Sequence, residues 1–198
     1  MTAALASSAL DQTFFHAHTA NRFTAEPVSD ATLHALYDLC KFGPTSMNCQ
    51  PLRLVFVRGA EAKALLKDTL SPGNLDKTMA APVTAILAVD TAFHEHLPGQ
   101  FPSGGAAAAQ RFADSPAMAA EVGRVSGTLQ GGYLILAARM LGLDVGPMGG
   151  FDRVKVDAAF FPDGRFQSFL LVNLGYADPA GNRPRGPRLE FEQVARIL

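Results

Sequence analysis

The chain has 198 residues, of which 48% are hydrophobic and 18% charged, enough for a sizeable core in a single domain over residues 1–198 and too apolar for a disordered chain. Seventeen basic residues against eighteen acidic ones give a formal charge of −1, with no basic block to grip nucleic acid and no apolar run long enough for a membrane span. The amino-terminal stretch MTAALASSALDQTFF lacks the positive start and long apolar centre of a signal peptide, and Cys40 and Cys49 form no CxxC pair, so the simplest compartment is the reducing cytoplasm.

In chain order, residues 9–18 read as a short helix and 19–23 as a polar loop. Ser29 caps a helix over about 30–42, with Leu33, Leu36, Tyr37 and Cys40 as its buried stripe, and Gly43-Pro44 stops it. Residues 44–51, PTSMNCQP, form a polar loop between two prolines. A strand follows at 52–58, then a helix at 60–70 with Leu65 and Leu66 inside. Ser71-Pro72-Gly73 breaks the chain before a helical segment at 74–80 and an apolar, central strand at 82–90. Residues 97–116 are rich in Gly, Pro, Ser and Ala with little periodicity, and read as either a mobile loop or a lid. The stretch SGTLQGGYLILAARMLG (126–142) is a long helix. Val125, Leu129, Gly132, Tyr133, Leu136 and Met140 recur at helical spacing, with Leu134, Ala137 and Leu141 on the neighbouring strip. Apolar residues on more than one face place it in a core or between subunits. A short strand at 143–146 and an irregular Pro147-Met148-Gly149-Gly150 follow, then a helix at 152–160, a strand at 167–175, an extended tail at 177–188 and an amphipathic segment at 189–197. This order gives an α+β layered domain.

Several chemistries lack their motifs. There is no GxGxxG after a strand, no P-loop and no GxSxG elbow. His94-Glu95-His96 is a tight histidine cluster with a carboxylate inside it, and no further ligand is spaced to complete a metal site. Cys49 is either a nucleophile or, more simply, a small semi-buried loop thiol. What remains is a set of polar loops carrying amides, hydroxyls and single cations. They comprise Thr19 and Asn21; Thr45, Ser46, Asn48 and Gln50; Asn74 and Lys77; Ser126 and Gln130; and Arg183, Arg185 and Arg188. Each has an ordinary structural account alone. Together they suit a ligand with a phosphate, a polyol chain and a planar polar ring.

The segments TANRFTAEPVSDATL (19–33), KFGPTSMNCQPLRLVFV (41–57), GNLDKTMAAPV (73–83), LGLDVGPMGGFD (141–152) and RGPRLEFE (185–192) together resemble the FMN-dependent nitroreductase family. The P-S/T-S-x-N-x-Q-P loop with LGLD-x-x-P-x-x-GF carries the likeness over nearly the whole chain. The phrasing GPTSMNCQP, SPGN, FDRVKVDAAFF and PRLEFE is similar to a branch that includes malonic semialdehyde reductases. The resemblance implies a nitroreductase-like fold: a mostly antiparallel central sheet flanked by helices, with the long helix at a dimer interface. It implies a homodimer with two FMN sites between subunits. By motif position, His18, Thr19 and Asn21 approach the phosphate, with Arg185 and Arg188 as candidates to balance its charge. Asn74 and Lys77 face the pyrimidine edge of the ring, where Ser126 adds a polar contact. Pro44, Thr45, Ser46 and Asn48 come from the other subunit. Pro147, Met148, Gly149 and Gly150 run along the ring. Gly149 stands where many nitroreductases carry an acidic residue. The implied activity is a two-step hydride relay from NADH or NADPH to a small acceptor, with Lys77 stabilising the reduced flavin and no protein nucleophile. The acceptor is a short 3-oxo acid such as malonic semialdehyde, or a quinone or nitroaromatic compound. A non-catalytic flavin-binding protein is the alternative from another class.

Overall fold

The structure, a computed structural model, describes residues 3–198. The helices are α1 (Ser7–Leu10, running into a π-turn at Asp11–Phe15), α2 (Asp30–Cys40), α3 (Ala60–Lys67), α4 (Pro72–Ala80), α5 (Leu97–Gln100), α6 (Gly105–Asp114), α7 (Pro116–Met140), α8 (Arg153–Phe160) and α9 (Phe191–Val194). The strands are β1 (Leu52–Val57), β2 (Val83–Asp90), β3 (Asp144–Met148) and β4 (Phe166–Gly175). They form one antiparallel sheet in the order β1-β2-β4-β3. This is the α+β sheet-and-helix arrangement that the resemblance implies.

Strand alternation divides the core into two layers. Ala85, Leu87, Val172 and Leu174 face α2 and α7, meeting Leu33, Leu36, Cys40, Leu134 and Ala138. Ile86, Ala88 and Leu171 face the opposite side, meeting Leu66 of α3 and Val156 of α8. Ser29 caps α2 as expected, its side chain accepting from the Thr32 N–H. Gly142, at φ 79°, ends α7 in a Schellman turn: the Leu143 N–H donates to Ala138 O at 2.9 Å and the Gly142 N–H to Arg139 O at 3.0 Å.

Four expectations are corrected. The segment 97–116 is not a loop but mainly helical, with α6 buried through Ala108 and Phe112 against Phe93 and Leu97. Its alanines favour helix strongly and hide the periodicity, since a small residue suits either face. Tyr37 and Leu65 are exposed rather than inside, because α2 and α3 each touch the sheet through a narrower stripe, and Lys63 instead lies buried beside Leu66. Pro147 and Met148 belong to β3; a proline is tolerated there because β3 is an edge strand. Finally, α7 begins at Pro116, and its inward face is not the apolar stripe. Gly123, Gly127 and Gly131 let it settle on the sheet, where a methyl at each would come within 2.9, 3.0 and 3.1 Å of Val89 or Leu87. Val125, Leu129, Tyr133 and Met140 point outward and are exposed.

Candidate functional site

Three groups of the polar residues are brought together, and two of them share one edge. Thr19 makes a parallel bridge to Val145 at the start of β3, with the Ala20 N–H on Val145 O at 2.8 Å. This puts the half-buried His18 and the exposed Thr19 beside the first residues of the edge strand. Asn21, half-buried, turns its amide back to Thr19 O at 3.1 Å. Arg185 reaches the same corner from the far end of the chain, donating to Phe15 O at 2.8 Å and Ala17 O at 2.7 Å. Arg188 does not join it; its guanidinium donates to its own neighbours Gly186 O and Pro187 O, because the chain there is extended and leads away. Arg139, which sequence reading passed over, does join. It donates to Thr13 O at 3.0 Å, and its Nε is buried with no hydrogen-bond partner among the described residues. Burial, with Arg185 nearby as the smaller cause, depresses its pKa. Two guanidiniums and an unpaired donor make this corner ready for an anion. The one sequence signal for Arg139 is a cation in an otherwise apolar helix turn.

At the other end of β3 the chain passes through Met148, Gly149 and Gly150 to meet the start of α4. The Ser71 N–H donates to Gly150 O at 3.1 Å, and the Asn74 amide donates to the same oxygen at 2.8 Å. Lys77 is one turn further along α4, half-buried and without a carboxylate partner among the described residues. Burial, and to a lesser degree the nearby Arg183 guanidinium, hold its ammonium below the usual lysine range. Gly149 is exposed, and a methyl on it would meet nothing within 4 Å. A methyl on Gly150 would lie 2.7 Å from the Asn74 amide nitrogen. Bare backbone thus lies next to an amide and an ammonium, which suits the polar edge and face of a flat ring. From Val145 to Gly150 the edge spans about 17 Å, so one elongated ligand reaches both corners. Of the ring-side residues, Met148 offers only backbone, since its side chain is buried and its sulfur accepts from the Thr78 hydroxyl at 3.3 Å. Pro147 is half-buried in the ladder opposite Val172.

The third group is the 44–50 loop. Met47, Asn48 and Gln50 all have positive φ, at 51°, 54° and 41°, a strained backbone for residues with side chains. The strain is held in place by Thr45 Oγ1 accepting the Gln50 N–H at 3.2 Å, Asn48 donating to Gln100 O at 3.0 Å, and Gln50 donating to Asn48 Oδ1 at 3.0 Å. Pro44, Ser46 and Asn48 are left exposed, with Thr45 half-buried beside them. Ser126 belongs here rather than at the ring-edge corner with Lys77. It is 2% exposed, and its hydroxyl accepts the Ser46 N–H at 3.4 Å, so it shapes the loop from behind. Gln130 does the same for the start of β1, accepting the Leu52 N–H at 3.0 Å. Cys49 is fully buried and burial raises its thiol pKa, which removes the nucleophile reading.

This loop leads into β1, and β1 and β3 are opposite edges of the sheet. Three strand spacings, about 14 Å, separate them. Within one chain the loop and the β3 edge therefore lie at opposite margins of the sheet. Two large concavities, of about 530 and 680 Å³, are lined by neither Lys77 nor Gly150. Elsewhere, Asp90 is buried and held by Arg53 at 2.7 Å and Arg165 at 3.0 Å, while Glu95 pairs with Arg165 at 2.8 Å. The His94-Glu95-His96 run therefore serves an ion-pair cluster, and no group that could hold a metal ion occurs among the described residues.

A family model described as the nitroreductase family matches residues 17–176. A protein of Burkholderia lata is 58% identical over 193 residues, covering 98% of each chain. One of Stenotrophomonas maltophilia is 55% identical over the whole of both. Both carry the provisional name NADH dehydrogenase/NAD(P)H nitroreductase. Among solved structures, one from Exiguobacterium sibiricum, described provisionally as a nitroreductase in complex with FMN, superposes with a TM-score of 0.83 at 18% identity, covering 100% of this chain and 99% of that one. A nitroreductase family protein from Streptococcus pneumoniae gives 0.82 at 22% identity, covering 97% and 99%.

Proposed function

The chain belongs to the nitroreductase family, and from that premise we propose that it is an FMN-dependent NAD(P)H oxidoreductase, active as a homodimer, whose acceptor is a short 3-oxo acid such as malonic semialdehyde. The observation that carries the reading is the β3 edge, with an anion-ready corner at Arg139 and Arg185 and an amide, an ammonium and bare glycine backbone at the other end. These groups fit FMN: the phosphate at the arginine corner beside His18, Thr19 and Asn21, and the ring beside Asn74, Lys77, Gly149 and Gly150. The chemistry supplied by bound FMN is two-electron transfer, with hydride in from NADH or NADPH and hydride out to the acceptor.

The chain's own residues then have distinct tasks. Lys77 offers a cationic donor where negative charge gathers on the ring, and its partial burial strengthens that interaction. Asn74 fixes the Gly150 carbonyl, so the backbone at the ring keeps one orientation. The strained 44–48 loop is displayed on the opposite edge of the sheet, which supports its use in the site of a second copy. The exposed stripe of Val125, Leu129, Tyr133 and Met140 on α7 supplies an apolar seam for that copy.

Purification under native conditions tests this directly. The protein should be yellow and dimeric, and NADH or NADPH should bleach it without oxygen. Malonic semialdehyde should then restore the colour and yield 3-hydroxypropionate. A colourless protein that takes up no FMN sinks the reading, and a coloured one that neither nicotinamide bleaches is a binder. The names of the relatives favour a second reading, a broad nitroaromatic or quinone reductase. Faster turnover with those acceptors than with the oxo acid would establish it. Lys77→Ala should slow bleaching by about a hundredfold; an unchanged rate removes Lys77 from the mechanism.

A further inference from the structure

The helical path of residues 105–114 puts a specific cation beside the strained loop. α6 is packed into that loop's support: Cys49 lies in one apolar cluster with Phe93, Leu97, Ala108 and Phe112, and Met47 and Phe101 pack against it. Arg111, exposed near the carboxyl end of α6, holds its Nη2 3.9 Å from the Met47 sulfur. A thioether is a weak acceptor that carries no charge. Arg111 also sits with its guanidinium carbon 5.7 Å from the adjacent Phe112 ring, and forms no ion pair among the described residues. The carboxylate one turn on, Asp114, is engaged by Gln110 at 2.8 Å.

Other cations are committed or remote. Arg53 and Arg165 are locked on Asp90, Arg124 pairs with Glu121, Arg188 binds its neighbours' carbonyls, and Arg139 and Arg185 belong to the proposed phosphate corner. Lys77 and Arg183 stand together near the proposed ring edge, on the other side of the sheet. Two guanidiniums thus lean on the loop the proposed site borrows from its partner: Arg53, on Gln50 O at 3.0 Å but held by Asp90, and Arg111, which has no carboxylate partner among the described residues.

We propose that Arg111 determines acceptor specificity by binding the carboxylate of an anionic acceptor, from the same subunit that lends the 44–48 loop. This rests on the flavoenzyme reading above. A 3-oxo acid keeps its carboxylate two carbons from the carbonyl that takes the hydride, so a cation is needed near the ring but off it. A planar fork with free N–H groups answers a carboxylate with paired, charge-assisted hydrogen bonds, whereas a neutral quinone carbonyl accepts without charge and without the paired oxygens.

The test uses the FMN-loaded dimer, comparing wild type with Arg111→Gln and Arg111→Lys. The first readout is the ratio of kcat/KM for malonic semialdehyde to that for an uncharged quinone. The second is binding of malonate, a dicarboxylate that cannot be reduced, to the oxidised dimer by calorimetry. In Arg111→Gln both should fall by roughly ten- to hundredfold, and Arg111→Lys should recover part of each. An unchanged ratio and unchanged malonate affinity in an enzyme that NADH or NADPH still bleaches would overturn the assignment alone. A protein that holds no FMN would overturn it together with the reading on which it rests.

Discussion

Gly149 and Gly150 are neighbours with opposite surroundings, and that contrast gives a test at the scale of single residues. A methyl on Gly150 has no room, since it would push the Asn74 amide from 2.7 Å and crowd the Ser71 hydroxyl at 3.1 Å. Gly150→Ala should therefore disturb the corner even without a ligand and weaken FMN binding at least about tenfold in a titration of the apoprotein. Gly149→Ala meets only open space in the free chain. Its melting temperature without FMN should match the wild type. Its FMN affinity should still fall, because the methyl would stand where the ring lies. Wild-type affinity in Gly149→Ala would move the ring elsewhere. The family resemblance, not local pattern, grouped Asn74 with these glycines, and the Asn74–Gly150 bond spans 76 positions. The contacts of Ser126 and Arg139 span 80 and 126 positions, and no local pattern of the chain reports contacts at such separations.

Among the elements, a buried relay ties the site's supports together. Lys63 of α3 donates to Thr78 O of α4 at 2.6 Å and to the Thr84 hydroxyl of β2 at 2.7 Å. The Thr84 hydroxyl donates to Asn173 Oδ1 of β4 at 2.8 Å, the Asn173 amide donates to the Thr78 hydroxyl at 3.3 Å, and that hydroxyl donates to Met148 of β3. So α4, which carries Lys77, is fastened to β3, which leads directly into Gly149 and Gly150. Burial lowers the Lys63 pKa to about 8 from 10.5. The sign follows from proton counting. Between those values the unfolded chain holds a proton that the native chain has lost, so stability rises with pH across the window. Below about pH 8 both states are protonated, and the cost of a buried ammonium, about 3 kcal/mol, is fully present. Urea midpoints taken at pH 7, 9 and 10 should show wild type gaining on Lys63→Met. Parallel midpoints would show that Lys63 ionises normally. A lysine between Ala62 and Ala64 reads as a solvated face, and nothing in local sequence shows it turned inward. The same limit hid α6, whose four successive alanines are good helix formers without a face. Strands β2 and β4, with strong apolar runs, and the capped α2 were legible because their signals are local.

In the whole molecule, the decisive fact is that β1 and β3 are opposite edges of one sheet. The periodicity of α7 displayed an apolar stripe, yet periodicity cannot distinguish a core from a subunit seam. The structure takes this stripe out of the core, because glycines take the inward face and leave Leu129 47% exposed and Val125 44% exposed. Leu129→Asp should leave the monomer folded, since the side chain touches solvent in the single chain, and should abolish both the dimer and FMN retention in sedimentation runs read at a flavin wavelength. If each site joins Lys77 of one copy to the 44–48 loop of the other, two defective chains can repair one another. Lys77→Ala places its defect in one half of a site, and a loop variant such as Asn48→Ala places its defect in the other half. In a mixed dimer both defects fall in the same site and the second site is intact. Refolding the two inactive variants together in equal amounts should then restore about a quarter of wild-type activity, because half of the dimers are mixed and each has one good site. If Lys77 and the loop instead served one site within a single chain, every chain in the mixture would carry a broken site and no activity would return.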